Sequence, residues 1–221
     1  MEKKENVYLL LTEMDTLPAQ FIRSRIKLGE WYRNVVRTGG GYSHVSLSRN
    51  KTFGDGQMLS FARKKKNNMF NAGLVKEDIR KGMFDLNKEK TRIAAIELKL
   101  TEEQYTIITN RMKKDYERRD QLKFNFPGLI SMLIRDKGVS LNENSFFCSQ
   151  WVTTILTEAG IKVIDKPPHD VRPDEIYEAF ESDIFYEGPL MEYPYYSSKE
   201  KQKKILPIKN KILGKTFSFG K

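Results

Sequence analysis

The order of apolar and polar positions along the chain predicts short strands alternating with amphipathic helices. Residues 7–12 form an apolar run, and residues 42–48 and 92–100 carry the composition and alternation of half-buried strands. The dipeptide Asp55-Gly56 favours the positive φ angles of a tight turn, which predicts a hairpin to a further strand at residues 57–63.

The rest of the chain contains several sequence features that predict helices. Thr101 and Gln104 form a capping box, which predicts a helix from residue 101 through Arg118. Three further helices are predicted, at residues 15–28, at residues 128–134 and from Arg172 onwards, and glycines at 39–41 predict a flexible turn.

The only cysteine, Cys148, lies where another helix begins. Apolar residues recur after it on one helical stripe, and Gly160 occupies the position of a C-terminal cap. Unpaired N–H groups and the positive end of the helix dipole at such a site favour a thiolate over a thiol. The pattern therefore indicates a candidate nucleophile, with a small buried core residue as the alternative.

His44 lies on the strand at residues 42–48, far upstream of Cys148. Alternation places it on one strand face with Ser46 and Ser48, while Val45 and Leu47 face the other way. An imidazole near a thiol can take up and return its proton. The alternative is an ordinary hydrogen-bonded histidine without a chemical role.

Several segments together resemble a known family, the circularly permuted papain-like cysteine hydrolases of the NlpC-type superfamily, which include the YiiX-like proteins. In that branch the histidine strand precedes the cysteine helix, as here. The resemblance implies an α+β fold in which an antiparallel sheet packs against helices and the catalytic cysteine starts a helix. Length favours a single domain, over residues 1–196, and the lysine-rich composition of residues 197–221 predicts a basic tail after it. The similar segments are residues 5–23, 41–50, 57–64, 71–79, 146–161, 171–177 and 184–193.

The resemblance also implies roles for individual residues. Cys148 would be the nucleophile and His44 the acid and base, with a third residue orienting the imidazole. Ser60 occupies the family position for that orienting residue, and Gln57 and Glu77, the latter reaching in from a loop, are the alternatives. The expected substrate-binding residues are Tyr42, Ser149 and Gln150. Strand alternation places Tyr42 on the same face as His44, where its phenol would line the groove or donate to an oxyanion; the alternative is a ring that only packs over the strand.

The function expected on this basis is a cysteine hydrolase that cleaves an amide, isopeptide or ester bond, or an acyltransferase of the same chemistry. Its expected partner is a peptide-, amide- or acyl-containing substrate. No cofactor or metal is expected, since the two histidines, His44 and His169, form no closely spaced ligand pair. The competing hypothesis is a catalytically inactive binding module that holds an anionic partner.

Composition adds a basic surface to this picture. The chain has 221 residues and a formal net charge of +10, and its lysines and arginines cluster at residues 63–66, 111–119 and 199–221. Such clusters predict weak binding of polyanions, mainly through the tail. With one cysteine, no export signal and no apolar run long enough to cross a bilayer, the expected location is the cytoplasm.

Overall fold

The computed structural model describes residues 5–13, 41–65, 68–86, 88–135 and 137–196. The strands are β1 Glu5–Glu13, β2 His44–Ser48, β3 Met58–Lys65, β4 Asn68–Glu77, β5 Arg92–Leu100, β6 Lys123–Phe124, β7 Ser145–Phe146 and β8 Ile184–Pro189. The helices are α1 Gly82–Leu86, α2 Glu102–Glu117, α3 Phe126–Arg135, α4 Cys148–Glu158 and α5 Pro173–Ala179. The predicted helix at 15–28, the glycines at 39 and 40 and the tail at 197–221 lie outside the described residues.

Six strands form one antiparallel sheet in the order β4-β3-β2-β1-β5-β8. β1 is central, and its Leu9 is paired with Leu47 of β2 on one side and Ile96 of β5 on the other. Two short strands, β6 and β7, pair in parallel apart from the sheet. The chain therefore has the predicted α+β class, with helices packed on an antiparallel sheet.

The two faces of the sheet bury different sets of side chains. On one face, Val45 and Leu47 of β2 pack in a large core with residues of α2 and α4 such as Ile108 and Trp151. The other face carries a smaller core, which is completed by residues outside the sheet: Phe53, Ile79, Phe84, Leu190 and Tyr193. Strand alternation thus separates a face packed by α2 and α4 from a face covered mainly by loops, together with the short helix α1.

Local sequence signals located several elements accurately. The strand predicted at 92–100 is β5, and the side chains of Thr101 and Gln104 form both bonds of the capping box at the start of α2. α3 begins two residues earlier than predicted, because Asn125 caps it by accepting a hydrogen bond from the N–H of Gly128 at 2.9 Å.

The predicted turn at Asp55-Gly56 is present, with φ angles of 58° and 73°. It lies within a longer connection at residues 49–57, which is closed by a hydrogen bond from the N–H of Arg49 to the carbonyl of Gln57 at 3.1 Å. The buried ring of Phe53 anchors this connection to the smaller core.

Alternation alone did not predict β4 and β8. β4 contains two asparagines and a glycine, and β8 ends in Gly188 and Pro189, residue types that are depleted in strands. Both lie at edges of the six-stranded sheet, and among the described residues each pairs with a single neighbouring strand. Among the described helices, none is both long and apolar enough to span a membrane.

We expect removal of residues 197–221 to change the melting temperature by less than about 2 °C, since a lysine-rich segment with scattered apolar positions is expected to bury little surface. Removal from Leu190 onwards should lower it by roughly 10 °C, because Leu190 and Tyr193 are almost fully buried and together contribute about 4 kcal/mol. Thermal denaturation of the two truncated forms tests this. Equal losses would show instead that the tail itself packs on the sheet.

Candidate active site

Cys148 is the first residue of α4, the position that the sequence pattern predicts. Its side chain is 8% exposed, so it is mostly buried but retains a path to solvent. Phe147, the residue before the helix, is extended and provides no side-chain cap. The first N–H groups of α4 therefore have no capping side chain, and their partial positive charge favours an anion at this end of the helix.

His44 is the first residue of β2, and its ring contacts the carboxylate of Glu77 and interacts with the thiol of Cys148. Its Nε2 atom is 3.2 Å from both carboxylate oxygens of Glu77. Cys148 acts on the same ring, both as a hydrogen-bond partner and electrostatically. The structure thus brings Cys148, His44 and Glu77 together in one site, although they come from a helix and two strands.

The charge state of His44 follows from these neighbours. Burial alone would lower the pKa of His44, but the negative charge of Glu77 and the interaction with Cys148 outweigh it and raise the pKa to about 10. His44 is therefore an imidazolium at neutral pH, with both ring nitrogens acting as donors.

Glu77 was one of three candidates for the orienting residue, and it is the one that contacts His44. It is the last residue of β4, so the expectation that it reaches in from a loop is wrong. Its side chain is 11% exposed and that of His44 is 14% exposed. A carboxylate–imidazolium pair shielded to this degree is stronger than a pair on the open surface.

Ser46 is a member of the site to which sequence reasoning gave no role. Its hydroxyl donates to Glu77 Oε2 at 2.5 Å and lies 3.4 Å from His44 Nε2. This hydrogen bond limits rotation of the Glu77 carboxylate. The signal was available, since Ser46 follows His44 by two residues and strand alternation places both on one face.

Ser60, the family position for the orienting residue, has a different partner. Its hydroxyl is buried and donates to the backbone carbonyl of Val45 at 2.9 Å, which ties β3 to β2. Gln57 lies in the turn before β3, where its backbone bonds to Gly54 and Arg49. Neither residue has a hydrogen bond to His44 among the described contacts.

The residues expected to bind substrate have structural partners. Tyr42 is buried, and its hydroxyl donates to Glu187 Oε1 at 2.7 Å, so the phenol is not free to donate to an oxyanion. Ser149 donates to the carbonyl of Val171 at 2.7 Å. Gln150 accepts a hydrogen bond from Asn125 Nδ2 at 3.2 Å, which joins the start of α4 to the start of α3.

A buried ionic network holds α4, and with it Cys148, in place. Asp115 of α2 accepts hydrogen bonds from Trp151 Nε1 of α4 and from Arg111 Nε, both at 2.9 Å. Its other oxygen accepts from Arg118 at 2.8 Å. Trp151 is therefore a core residue, as predicted. Its Nε1 also links α4 to α2 through the hydrogen bond to Asp115.

The described residues contain no group of three or more His, Cys, Asp or Glu side chains arranged to hold a metal ion. The site offers a thiol, an imidazolium, a carboxylate and the backbone N–H groups at the start of α4. These are the groups that nucleophilic catalysis at a carbonyl requires.

Comparison with known proteins found no matching family model, no similar curated protein and no similar solved structure. The interpretation of the site consequently rests on the contacts of Cys148, His44 and Glu77.

Proposed function

We propose that the protein is a cysteine hydrolase with a circularly permuted papain-like fold, which cleaves an amide, isopeptide or ester bond. The observation that carries the proposal is the position of His44, which interacts with the thiol of Cys148 and with the carboxylate of Glu77. A nucleophile, a base and a residue that orients the base form the arrangement by which such sites are recognised.

The raised pKa of His44 favours an imidazolium in the resting site, and the start of α4 favours a negatively charged nucleophile beside it. The thiolate attacks the carbonyl carbon of the substrate, and an S–C bond forms as the carbonyl oxygen becomes an oxyanion. His44 then donates its proton to the leaving amine or alcohol as the C–N or C–O bond breaks. Because Nε2 faces Glu77, Nδ1 is the ring atom that exchanges the proton.

The acyl-enzyme is released by the reverse sequence. Neutral His44 removes a proton from water, and the hydroxide attacks the thioester carbon and expels the thiolate. An amine or alcohol in place of water would make the same site an acyltransferase. In both half-reactions the oxyanion lies against the N–H groups at the start of α4, beginning with that of Cys148.

The experiment that tests this proposal measures the rate at which iodoacetamide alkylates Cys148 at pH 6–7. We expect the wild-type thiol to react at least tenfold faster than a free cysteine at the same pH, since only the thiolate is nucleophilic. His44→Ala should reduce the rate by roughly tenfold or more, because the thiolate loses its counter-ion. Mass spectrometry of the labelled peptide measures both rates.

Ser60→Ala is the matched control. It removes a hydroxyl near the same strands that bonds to the Val45 carbonyl rather than to His44, so the alkylation rate should stay within about twofold of the wild type. A slow wild-type rate that His44→Ala leaves unchanged would overturn the proposal. It would favour a catalytically inactive binding module with a basic surface.

A further inference from the structure

A cavity lies on the loop-covered face of the sheet, away from α2 and α4. It has a volume of about 260 Å³ and is lined by Tyr8, Lys51, Glu97, Phe185, Tyr186, Tyr193, Pro194 and Tyr195. This volume is just below the usual range for drug-sized ligands, so the cavity suits a small group rather than a large molecule. None of the residues in the proposed catalytic site lines it.

The walls of this cavity are aromatic rings set at angles to one another. Tyr8 and Phe185 lie 6.0 Å apart with their planes at 77°, and Tyr193 and Tyr195 lie 5.6 Å apart at 59°. Phe185 connects the two pairs, since its ring is 6.4 Å from that of Tyr193. The face of an aromatic ring is negatively charged and its edge is positive, and rings set at these angles can offer faces to a group placed among them.

The hydroxyl groups of the inner rings are already engaged. Tyr193 donates to the carbonyl of Lys51 and Tyr186 donates to the carbonyl of Pro189, both at 2.6 Å. These hydrogen bonds hold the rings of Tyr186 and Tyr193 in place, and both rings still line the cavity. Phe185 is 41% exposed and forms the outer wall.

One carboxylate, that of Glu97, lines the cavity that Tyr8, Phe185, Tyr186, Tyr193 and Tyr195 surround, which we call the aromatic enclosure. Glu97 Oε1 accepts hydrogen bonds from Asn6 Nδ2 at 2.8 Å and from Tyr8 at 3.2 Å. Within the part of the chain that the structure describes, Oε2 has no hydrogen-bond partner. Glu97 thus supplies a negative charge whose orientation is fixed and whose second oxygen is available.

The chain's own Lys51 lines the same cavity and places an ammonium over one of its rings. Lys51 comes from the connection that Phe53 anchors, and its Nζ lies 5.1 Å from the centre of the Tyr195 ring. A hydrogen bond with Tyr195, followed by smaller effects of Tyr8 and Glu97, raises the pKa of Lys51. Lys51 is exposed and contacts one ring face, so the other rings remain available.

We propose that this aromatic enclosure is a binding site for a methylated ammonium group, with Lys51 as an internal competitor. A methylammonium cation placed between Tyr8, Phe185 and Tyr195 would combine cation–π attraction with the charge of Glu97. Such a group occurs both in choline and in methylated lysine, and the chemistry of recognition is common to the two. The site is independent of the proposed hydrolase activity.

The test uses the full chain and an NMR titration with tetramethylammonium, choline and free trimethyllysine. The neutral comparison ligand is 3,3-dimethyl-1-butanol, which has the shape of choline without its charge. We expect choline to bind roughly fivefold tighter than the neutral alcohol, with shifts confined to the cavity residues. The order of choline and trimethyllysine affinities identifies the source of the group.

Three variants separate cation recognition from simple apolar contact. Phe185→Leu keeps an apolar side chain at an exposed position and should weaken choline binding roughly threefold without changing the melting temperature. Glu97→Gln should weaken it by a similar factor. Lys51→Met should strengthen binding, because it removes the competing ammonium, whereas Lys51→Arg should not.

Equal affinity for choline and the neutral alcohol would overturn the proposal. So would weaker choline binding in Lys51→Met, since that result would make Lys51 part of the recognition surface rather than a competitor. Neither result depends on the reactivity of Cys148, so this proposal and the hydrolase proposal fail separately.

Discussion

Glu77→Gln should reduce the iodoacetamide reactivity of Cys148 by roughly tenfold at pH 7, and the turnover of a substrate, once one is found, by on the order of 10²- to 10⁴-fold. The substitution keeps the shape of the side chain but removes the charge that holds His44 as an imidazolium. Without that charge, burial is no longer opposed as strongly and lowers the pKa of His44. The iodoacetamide rate at pH 7 measures the effect.

Gln57→Ala and Ser60→Ala are the comparisons for this experiment, because each was a candidate for the same role. We expect both to retain most of the wild-type reactivity, since neither side chain has a described contact with His44. Ser46→Ala should have an intermediate effect, because it frees the carboxylate to rotate without removing its charge. A near-normal rate for Glu77→Gln together with a collapse in Ser60→Ala would reverse this ranking.

The His44–Glu77 pair also makes stability depend on pH in a defined direction. The folded-state pKa of His44 is about 10, above the value of about 6.5 for an unfolded histidine. Its contribution is therefore fully present below pH 6.5 and is lost as the pH rises towards 10. The difference in unfolding free energy between wild type and Glu77→Gln should accordingly be largest near pH 6 and shrink towards pH 10, as measured by urea denaturation.

The parts of the fold that could be predicted from sequence are those whose cause is local. The capping box at Thr101, the positive φ angles at Asp55 and Gly56 and the start of α4 at Cys148 each depend on residues close together in the chain. The edge strands β4 and β8 depend instead on pairing with β3 and β5, which supply their hydrogen-bond partners. Their own composition carries little strand signal.

The residues of the site divide in the same way, into those with a local sequence signal and those that depend on long-range strand pairing. Cys148 and His44 were identifiable because a helix start and an alternating strand each leave a pattern in the sequence. The partner of His44 was ambiguous, because Glu77 is 33 residues away and comes near only through the pairing of three strands. Tyr42 illustrates the converse: its spacing from His44 suggested a groove residue, but a long-range bond to Glu187 engages its hydroxyl.

The buried carboxylate of Asp115 should matter more for stability than any other charged group on α2. Asp115→Ala leaves Trp151 Nε1 and two arginines without their acceptor in the core, so we expect a loss of about 3–5 kcal/mol in the free energy of unfolding. For a chain of this size that corresponds to a fall in melting temperature of roughly 10 °C.

The control for this prediction is Glu117→Ala on the same helix. Glu117 forms an exposed pair with Lys113 at 4.0 Å, and such pairs contribute about 0–1 kcal/mol, so its removal should barely change the melting temperature. Asp115→Asn should fall between the two, since an amide oxygen can accept one of the hydrogen bonds but carries no charge. If Asp115→Ala were as stable as Glu117→Ala, then the apolar contacts of Trp151 alone would hold α4 on α2. In that case the position of Cys148 would depend on packing rather than on the ionic network.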